Sequence, residues 1–189
     1  KQKVIICHDL NENLRSAIAS CPHDKLFILV DEHTRQLCLP LIADMECMQQ
    51  AYVITIGAED IHKNLETLAY VWKELGDHGA TRHSLMINLG GGMVTDLGGF
   101  AASTFKRGIP YINIPTTLLA MVDASVGGKT GINFNGLKNE IGVFSPAEYV
   151  LLDTEFLKTL DTRNLLSGYA EMLKHGIIST EAHWAELLK

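Results

Sequence analysis

Short apolar runs recur along this chain, and they limit its fold more than any other feature of the sequence. Each run is four or five residues long, almost continuously apolar and rich in β-branched side chains. Runs of this kind are typical of strands that are covered on both faces, as in a parallel sheet. They occupy residues 4–7, 26–30, 52–56, 85–89, 111–114 and 149–152.

Longer amphipathic stretches separate these runs. In residues 64–75 the apolar side chains recur every three or four positions, which predicts a helix. Strands that alternate with helices predict an α/β domain with a mostly parallel sheet. No strand-like run follows Asp153, and residues 165–178 have a helical pattern. We therefore expect an α/β domain over residues 1–158 and the beginning of a helical domain over residues 159–189.

The composition excludes several classes of protein. Hydrophobic residues make up 47% of the 189 positions and charged residues 20%, as in ordinary globular proteins. No apolar run reaches the roughly 18–20 residues of a membrane span, and the first residues lack the apolar core of a secretory signal. A net charge of −6 argues against a nucleic-acid binder. We expect a cytoplasmic protein without membrane or nucleic-acid partners.

Four cysteines lie in the first quarter of the chain, and no two of them have C-x-x-C spacing. A chain of this size does not need disulfides for stability. We therefore expect reduced thiols that fill small apolar positions. They are Cys7, Cys21, Cys38 and Cys47.

Three consecutive glycines follow the fourth apolar run, and a helical pattern begins directly after them. Glycines at such a turn let the backbone approach a ligand closely, and the amides of the first helical turn favour an anion such as a pyrophosphate. The sequence has neither G-x-G-x-x-G spacing nor the Gly-Lys-Ser/Thr of a P-loop. A tight strand-to-helix turn without a ligand stays open as the alternative. The glycines are Gly90, Gly91 and Gly92.

The helix after this turn contains Gly98 and Gly99 and ends near Arg107. Glycine inside a helix costs about 1 kcal/mol relative to alanine, so we expect another backbone or a ligand to approach there. Two roles stay open for Arg107 beside Gly108: a solvated cation that complements the helix dipole, or a ligand for an anion.

A second segment, residues 114–131, follows the fifth apolar run. Thr116 and Thr117 can cap a helix or bond the polar groups of a ligand. Asp123 and Lys129 bracket a glycine-rich turn, and such a turn is costly to order without a ligand or a tight packing partner. An exposed loop is the alternative.

Two later segments also carry charged or amide side chains. Lys138 and Asn139 combine a cation with an amide that both donates and accepts hydrogen bonds. Glu171 and Lys174 lie on one face of a predicted helix, where a surface ion pair is the alternative. The cations of these segments, in an acidic chain, indicate a small anionic substrate such as a phosphate or a carboxylate.

Taken together, four segments resemble a known family in order and spacing. They are GGGMVTDLGGFAASTFKRG, IPTTLLAMVDASVGGKTGIN, GLKNEIGVF and GYAEMLKHG. These segments are similar to the motifs of the 3-dehydroquinate synthase family of NAD-dependent sugar-phosphate cyclases. The resemblance implies a Rossmann-like NAD-binding domain, followed by the start of an all-helical domain that binds metal and substrate.

The resemblance also implies an activity. Enzymes of this kind are carbon–oxygen lyases of the shikimate pathway that convert 3-deoxy-D-arabino-heptulosonate 7-phosphate (DAHP) into 3-dehydroquinate and phosphate. NAD oxidises a hydroxyl transiently, phosphate is eliminated, the ketone is reduced, and an intramolecular aldol reaction closes the ring. Zn²⁺ or Co²⁺ acts as the Lewis acid. The implied partners are the sugar phosphate and a second copy of the chain in a homodimer.

The family's functional residues carry over by position. One metal ligand is implied, Glu171. The implied catalytic residues are Lys129, Lys174, Asp123, Asn139 and Arg107, the last binding substrate phosphate across a dimer interface. The implied NAD contacts are Asp31, Asp60, Lys63, Gly91, Gly92, Met93, Asp96, Thr116, Thr117, Leu119, Asp123, Lys129, Lys138, Asn139, Phe156, Thr159 and Leu160.

The chain departs from the family's pattern at two places near the expected adenosine site. His33 stands where the family usually has Asn, two residues after Asp31. The family's Gly-Glu-x-x-Lys is GAEDIHK here, in which Asp60 keeps the spacing to Lys63 and Glu59 keeps the residue type. Either acid is a candidate for the contact with the adenosine ribose.

The family's metal also needs two histidines beyond Glu171. This sequence offers only His175 and His183 there, at other positions. One carboxylate rarely holds zinc. We therefore expect the sequence to be a piece of a longer protein, inactive alone and with weak residual affinity for NAD.

Three other hypotheses stay open. A sibling cyclase, of the deoxyinosose or valiolone synthase type, would act on another sugar phosphate. A metal-dependent alcohol or glycerol dehydrogenase shares the fold and the GGGxxxD turn, although TTLLAMVDASVGGK and KNEIG count against it. A non-catalytic NAD-binding or oligomerisation module requires a native chain that ends near residue 189. Phosphate release without net NADH distinguishes a cyclase from a dehydrogenase.

Overall fold

The structure, a computed structural model, describes residues 2–159. Six parallel strands form one sheet, in the spatial order β1-β8-β5-β4-β2-β3, and a separate two-stranded antiparallel hairpin consists of β6 and β7. The strands are β1 (Lys3–Ile6), β2 (Leu26–Asp31), β3 (Tyr52–Ile56), β4 (Leu85–Gly90), β5 (Tyr111–Pro115), β6 (Ile132–Phe134), β7 (Leu137–Ile141) and β8 (Tyr149–Leu152).

Five α-helices connect these strands, together with short 3₁₀ turns. All six predicted apolar runs form strands of the parallel sheet, which confirms the predicted α/β fold. The helices are α1 (Leu10–Ala19), α2 (Glu32–Leu37), α3 (Leu65–Asp77), α4 (Gly92–Thr104) and α5 (Leu118–Val126). The 3₁₀ turns are Leu39–Leu41, Glu46–Met48, Asp60–His62, Phe105–Arg107 and Thr154–Thr159.

The central strands β2, β4 and β5 are buried on both faces, as the sequence pattern predicts, whereas the edge strand β1 is largely exposed. Alternate residues of β2 point to opposite sides: Phe27 and Leu29 pack in one core cluster with α3 and α4, and Ile28 and Val30 pack in a second cluster with α1. Side chains of parallel strands bury nearly all of their surface when helices cover both faces. Each of these four side chains is at most 1% exposed.

The strand order places a crevice between β2 and β4. The chain runs from β2 outward to β3, then crosses back to β4 and continues the other way to β5. In parallel α/β sheets, ligands bind outside the carboxyl ends of the strands at such a reversal. The triple-glycine turn follows β4 at this edge of the sheet.

The glycine pair inside α4 is explained by side chains, which corrects our expectation of a backbone or ligand approach. A Cβ at Gly98 would overlap the side-chain amide of Asn88 and lie 2.9 Å from Cδ2 of Leu29. A Cβ at Gly99 would lie 2.7 Å from Cγ2 of Thr130. The helix therefore lies closer to the sheet than any residue with a side chain would allow.

Asn88 is the unusual residue under this helix. It is fully buried in β4, and its Nδ2 donates to Oδ1 of Asn113 at 3.0 Å. Its Oδ1 has no hydrogen-bond partner among residues 2–159. The oxygen faces the Cα of Gly98, so a weak Cα–H···O contact is its nearest compensation.

All four cysteines are free, as predicted, and the pKa of each thiol is raised by burial. Burial, with a smaller contribution from the carboxylate of Asp153, raises the pKa of Cys7 from 9.0 to about 11.

Within residues 2–159, no helix combines the length and apolarity that a membrane crossing requires.

We expect Cys7 to react about 10-fold more slowly than an unperturbed thiol with a disulfide reagent at pH 8. The raised pKa of Cys7 cuts its thiolate fraction about 100-fold, and the higher nucleophilicity of the more basic thiolate restores about 10-fold. Labelling with methyl methanethiosulfonate and peptide mass spectrometry measures the rate. The urea-unfolded chain is the reference, and an equal rate in both states would contradict the raised pKa.

Candidate functional site

The triple-glycine turn ends β4 and starts α4 with its backbone amides open. Gly91 is the N-cap residue of α4, and no side chain bonds to the amides of the first turn. Gly92 is exposed, and a Cβ there would meet nothing within 4 Å. Uncapped amides at a helix N-terminus are a suitable place for an anion. The other long helices have side-chain caps, from Asp9, Asn64 and Thr117.

Two threonines after β5 close this turn from the side. Thr116 is buried, and its N–H donates to the carbonyl of Gly90 at 2.9 Å. Thr117 caps α5 by accepting from the N–H of Ala120 at 3.1 Å. Its Cγ2 would lie 3.1 Å from a Cβ at Gly91. Both threonines therefore have structural contacts at the position where a ligand contact was predicted.

A buried ammonium joins three elements beside the turn. Nζ of Lys63, which follows β3, donates to Oδ2 of Asp96 in α4 at 2.8 Å and to Oδ1 of Asn139 in β7 at 2.6 Å. The Lys63 side chain is 6% exposed and that of Asp96 is 36% exposed. The cation thus holds a carboxylate and an amide at fixed positions.

The pKa of Asp96 is raised, although it is paired with an ammonium. Burial raises it most, and the charge and hydrogen bond of Lys63 lower it by less. The carboxylate of Asp60 raises it further, and Lys129 lowers it. Asp96 therefore takes up a proton more readily than an exposed aspartate, even though a third of its side chain reaches water.

A cleft of about 530 Å³ opens beside this group. It lies against the first turn of α4, α5 and the segment that follows α5. Five of the predicted site residues line it, one of them, Asp123, on the exposed side of α5. The five are Gly92, Asp96, Asp123, Lys129 and Asn139.

A second hollow, of about 680 Å³, lies on the other side of the β6–β7 hairpin. Asp60, Lys63 and Lys138 line it, and Nζ of Lys138 is 3.7 Å from Oδ2 of Asp60. Glu59, the other candidate acid, also lines it, and its carboxylate makes no hydrogen bond or ion pair within the described part of the chain. The hairpin therefore separates the predicted site residues into two groups, with Lys63 between them.

Asp31 lies at the carboxyl end of β2 and caps α2. Its Oδ1 accepts from the N–H of Thr34 at 2.8 Å, and Oγ1 of Thr34 accepts from the N–H of Asp31 at 3.0 Å. This capping box occupies one carboxylate oxygen. His33, which stands in place of the family's Asn, is exposed in the first turn of α2.

Phe156, which the resemblance implies as an adenosine contact, lies inside the core, and this contact stays a prediction. Phe156 has no exposed surface and packs in the core cluster on the α1 side of the sheet. Oγ1 of Thr159 donates to the carbonyl of Phe156 at 2.6 Å and lies 3.6 Å from Sγ of Cys38. Met93 and Leu119 are half-buried near the start of their helices. A fully buried aromatic side chain is more often part of the core than a contact for a ligand.

Arg107 is not among the residues that line the cleft. It ends the 3₁₀ turn Phe105–Arg107, which follows α4. Arg107 is exposed, has a positive φ of 67°, and lines a shallow depression with Arg82, His83 and Lys106. The implied contact of Arg107 with substrate phosphate across a dimer interface stays a prediction.

The remaining predicted site residues are Leu160, Glu171 and Lys174, and they lie outside the described residues. Within residues 2–159, no group of three His, Cys, Asp or Glu side chains is placed to hold a metal ion.

Tyr111, Asn113 and Thr130 are among the cleft residues that were not predicted from the sequence. Burial raises the pKa of Tyr111 to about 12, and its hydroxyl donates to the carbonyl of Ser145. Tyr111 and Asn113 alternate on one face of β5, so two polar side chains in an otherwise apolar strand were the available signal.

Comparison with known proteins identifies the family. The family model for the N-terminal region of 3-dehydroquinate synthase matches residues 53–167. The 3-dehydroquinate synthase of Parabacteroides distasonis is 55% identical over 188 residues, which are 100% of this chain and 53% of that protein. The chain thus spans about half the length of the curated relatives that it matches.

Solved structures have the same fold. A 2-epi-5-epi-valiolone synthase from Streptomyces hygroscopicus subsp. jinggangensis, with NAD⁺ and Zn²⁺ bound, has a TM-score of 0.81 and 35% identity, covering 92% of this chain and 49% of that one. A 2-deoxy-scyllo-inosose synthase, complexed with carbaglucose-6-phosphate, NAD⁺ and Co²⁺, has a TM-score of 0.84 and 24% identity, covering 94% and 48%. The second likeness shows the fold alone. The chain belongs to the 3-dehydroquinate synthase family, whose N-terminal region it matches.

Proposed function

We propose that the protein containing this chain is a 3-dehydroquinate synthase, a carbon–oxygen lyase that converts DAHP into 3-dehydroquinate and phosphate. The support is family membership with 55% identity over the whole chain. The observation that carries the proposal is the cleft in which Asp96 and Asn139, both bonded by the ammonium of Lys63, lie beside the first turn of α4. This chain would supply the nucleotide-binding half of the active site.

The residues around the turn fit NAD as the cofactor. The uncapped amides at Gly91 and Gly92, with open space at Gly92, suit a pyrophosphate. Asp31 has the position at a strand end from which acidic residues commonly bond a ribose hydroxyl. The bound cofactor would accept a hydride from the substrate and later return it.

The chain's own residues would bind and orient the reactants. Asp123, Lys129 and Asn139 would lie between nicotinamide and substrate, and the ammonium of Lys129 would attract the anionic sugar phosphate. Because Lys63 already holds Asp96 and Asn139, these two side chains would lose little conformational freedom on binding.

The proposal also includes residues outside the cleft, of which Glu171 and Lys174 lie beyond the described part of the chain. Glu171 would be one ligand of a Zn²⁺ or Co²⁺ ion, and Lys174 would contact substrate. Arg107 would bind substrate phosphate in the cleft of a second copy, which makes the enzyme a homodimer. The proposal also includes a domain boundary between residues 158 and 159 and a cytoplasmic location.

The test is phosphate release from DAHP in the presence of NAD⁺ and Zn²⁺. We expect no release from the 189-residue chain and steady release, without accumulation of NADH, from the product of the complete reading frame. Lys129→Met in that protein should lower kcat/KM at least about 100-fold, because an interaction with a charged substrate group is lost.

Two outcomes would contradict the proposal. Net NADH formation from an alcohol would indicate a dehydrogenase. If the complete protein released no phosphate from DAHP but turned over a different sugar phosphate, a sibling cyclase would be favoured. The 35% identity to a valiolone synthase is the reason to test this hypothesis.

A further inference from the structure

Asn139 has a backbone conformation that residues other than glycine rarely adopt. Its φ is +52°, in the left-handed region, although it lies within β7. Such a conformation persists only where surrounding contacts hold it, and it often marks a functional position. Here it accompanies a side chain that lines the cleft and accepts from Nζ of Lys63 at 2.6 Å.

Asn133, on the partner strand of the hairpin, supplies the holding contact. Its Oδ1 accepts from the backbone N–H of Asn139 at 2.9 Å. Its Nδ2 donates to Oδ2 of Asp60 at 3.0 Å, and its own N–H donates to the carbonyl of Lys63 at 2.8 Å. One amide side chain therefore contacts both groups of predicted site residues.

Of the two strands of this hairpin, β6 is anchored in the core by Ile132, which is 1% exposed, whereas β7 is weakly anchored. All five residues of β7 are exposed, so apolar packing contributes little to its position. Its attachment to the loop after β3 depends largely on the polar contacts of Asn133 and Asn139. Removing the side-chain amide of Asn133 would take away the acceptor for the N–H of Asn139 and would leave the apolar core intact.

We propose that Asn133 is a positioning residue for a dinucleotide. By accepting from the N–H of Asn139 it keeps that residue's side-chain amide on Lys63 and at the cleft. By donating to Asp60 it fixes the loop on the other side of the hairpin. The identity of the ligand as NAD rests on the proposed function.

The test compares three variants of the 189-residue chain by titration calorimetry with NAD⁺ and with ADP, which lacks the nicotinamide riboside. Asn133→Ala should raise the Kd for NAD⁺ about 10-fold and that for ADP less than about threefold. Asn133→Asp keeps the acceptor for Asn139 but loses the donor to Asp60 and sets a carboxylate against it, so its Kd for NAD⁺ should rise by less than that of Asn133→Ala. Asn135→Gly removes an amide from the same hairpin at a φ of +52° that glycine accepts, and should change neither.

A second measurement examines the backbone directly. The three-bond HN–Hα coupling of Asn139, measured by NMR, distinguishes the left-handed conformation from an extended one. It should change in Asn133→Ala and stay unchanged in Asn133→Asp and Asn135→Gly.

Several outcomes would overturn the inference: equal loss of NAD⁺ and ADP, loss in Asn133→Asp as large as in Asn133→Ala, or an unchanged coupling in Asn133→Ala. If the parent chain binds no NAD⁺, the cofactor in the proposed function fails, and the coupling still tests whether Asn133 holds Asn139.

Discussion

Replacing Lys63 by Met is expected to lower the free energy of unfolding by about 2 kcal/mol at pH 7. Removing one partner of a buried ion pair costs about 3–5 kcal/mol, because the other charge is left uncompensated. A third of the Asp96 side chain reaches water, so solvent takes up part of that cost. Urea unfolding followed by circular dichroism measures the change.

The loss should shrink at acidic pH. Burial already raises the pKa of Asp96, and removing the Lys63 ammonium raises it further. A carboxyl group with a raised folded-state pKa binds its proton more tightly in the folded than in the unfolded chain, so its ionisation costs stability as pH rises. The difference between variant and parent should therefore narrow from pH 7 towards pH 5.

Two variants control for this effect. The double variant Lys63→Met with Asp96→Asn leaves neither charge and should recover about 1 kcal/mol. Lys73→Met removes an ammonium from the Lys73–Asp77 pair, in which both side chains are more than half exposed; because solvent screens such a pair, we expect no measurable change in the urea midpoint. Equal costs for the two lysines would refute the buried-pair interpretation.

Gly98→Ala is the second change with a large expected effect, a net loss of about 2 kcal/mol. Alanine favours the helix by about 1 kcal/mol. Its Cβ would, however, overlap the amide of Asn88 and lie 2.9 Å from Cδ2 of Leu29, and both residues are fully buried. Overpacking of this kind costs about 1–3 kcal/mol and can exceed that range. The urea midpoint of the variant gives the measurement.

The same substitution at Gly76 is the matched control. Gly76 is exposed near the end of α3, and a Cβ there meets nothing within 4 Å. Gly76→Ala should therefore stabilise the chain by about 0.5–1 kcal/mol. Adding Asn88→Ala to Gly98→Ala should restore part of the loss. If Gly98→Ala stabilised the chain, the predicted overlap of its Cβ with Asn88 and Leu29 would be refuted.

The strands of the sheet could be predicted closely, and the hairpin could not. Residues buried on both faces give continuous apolar runs, so each predicted strand agrees with the structure within one or two residues at its ends. The β6–β7 hairpin is largely exposed and has no such pattern. Its one local signal, Asn135-Gly136 with φ values of +52° and +75°, is the dipeptide that two-residue hairpin turns favour.

Because the β6–β7 hairpin was not predicted, the contacts that it makes in the candidate site could not be predicted either. The glycine turn and Asp96 could be inferred from one contiguous segment, because a strand, glycines and a helix start are local features. The ammonium of Lys63 meets Asp96 and Asn139 only when the loop after β3, α4 and β7 come together. Asn88 was hidden in the same way, because its significance depends on a helix that packs across it.

The order of the strands in the sheet also limits the order in which the chain can fold. Among the described strands, β1 comes first in the chain and pairs only with β8, with Lys3 opposite Tyr149. Contacts so distant in sequence form late, since the loop between them must be closed first. During synthesis on the ribosome, strands β2 to β5 can form their part of the sheet before β8 is available to pair with β1. In a chain halted before residue 149, β8 is missing and β1 has no strand to pair with, so the sheet would lack both strands at that edge.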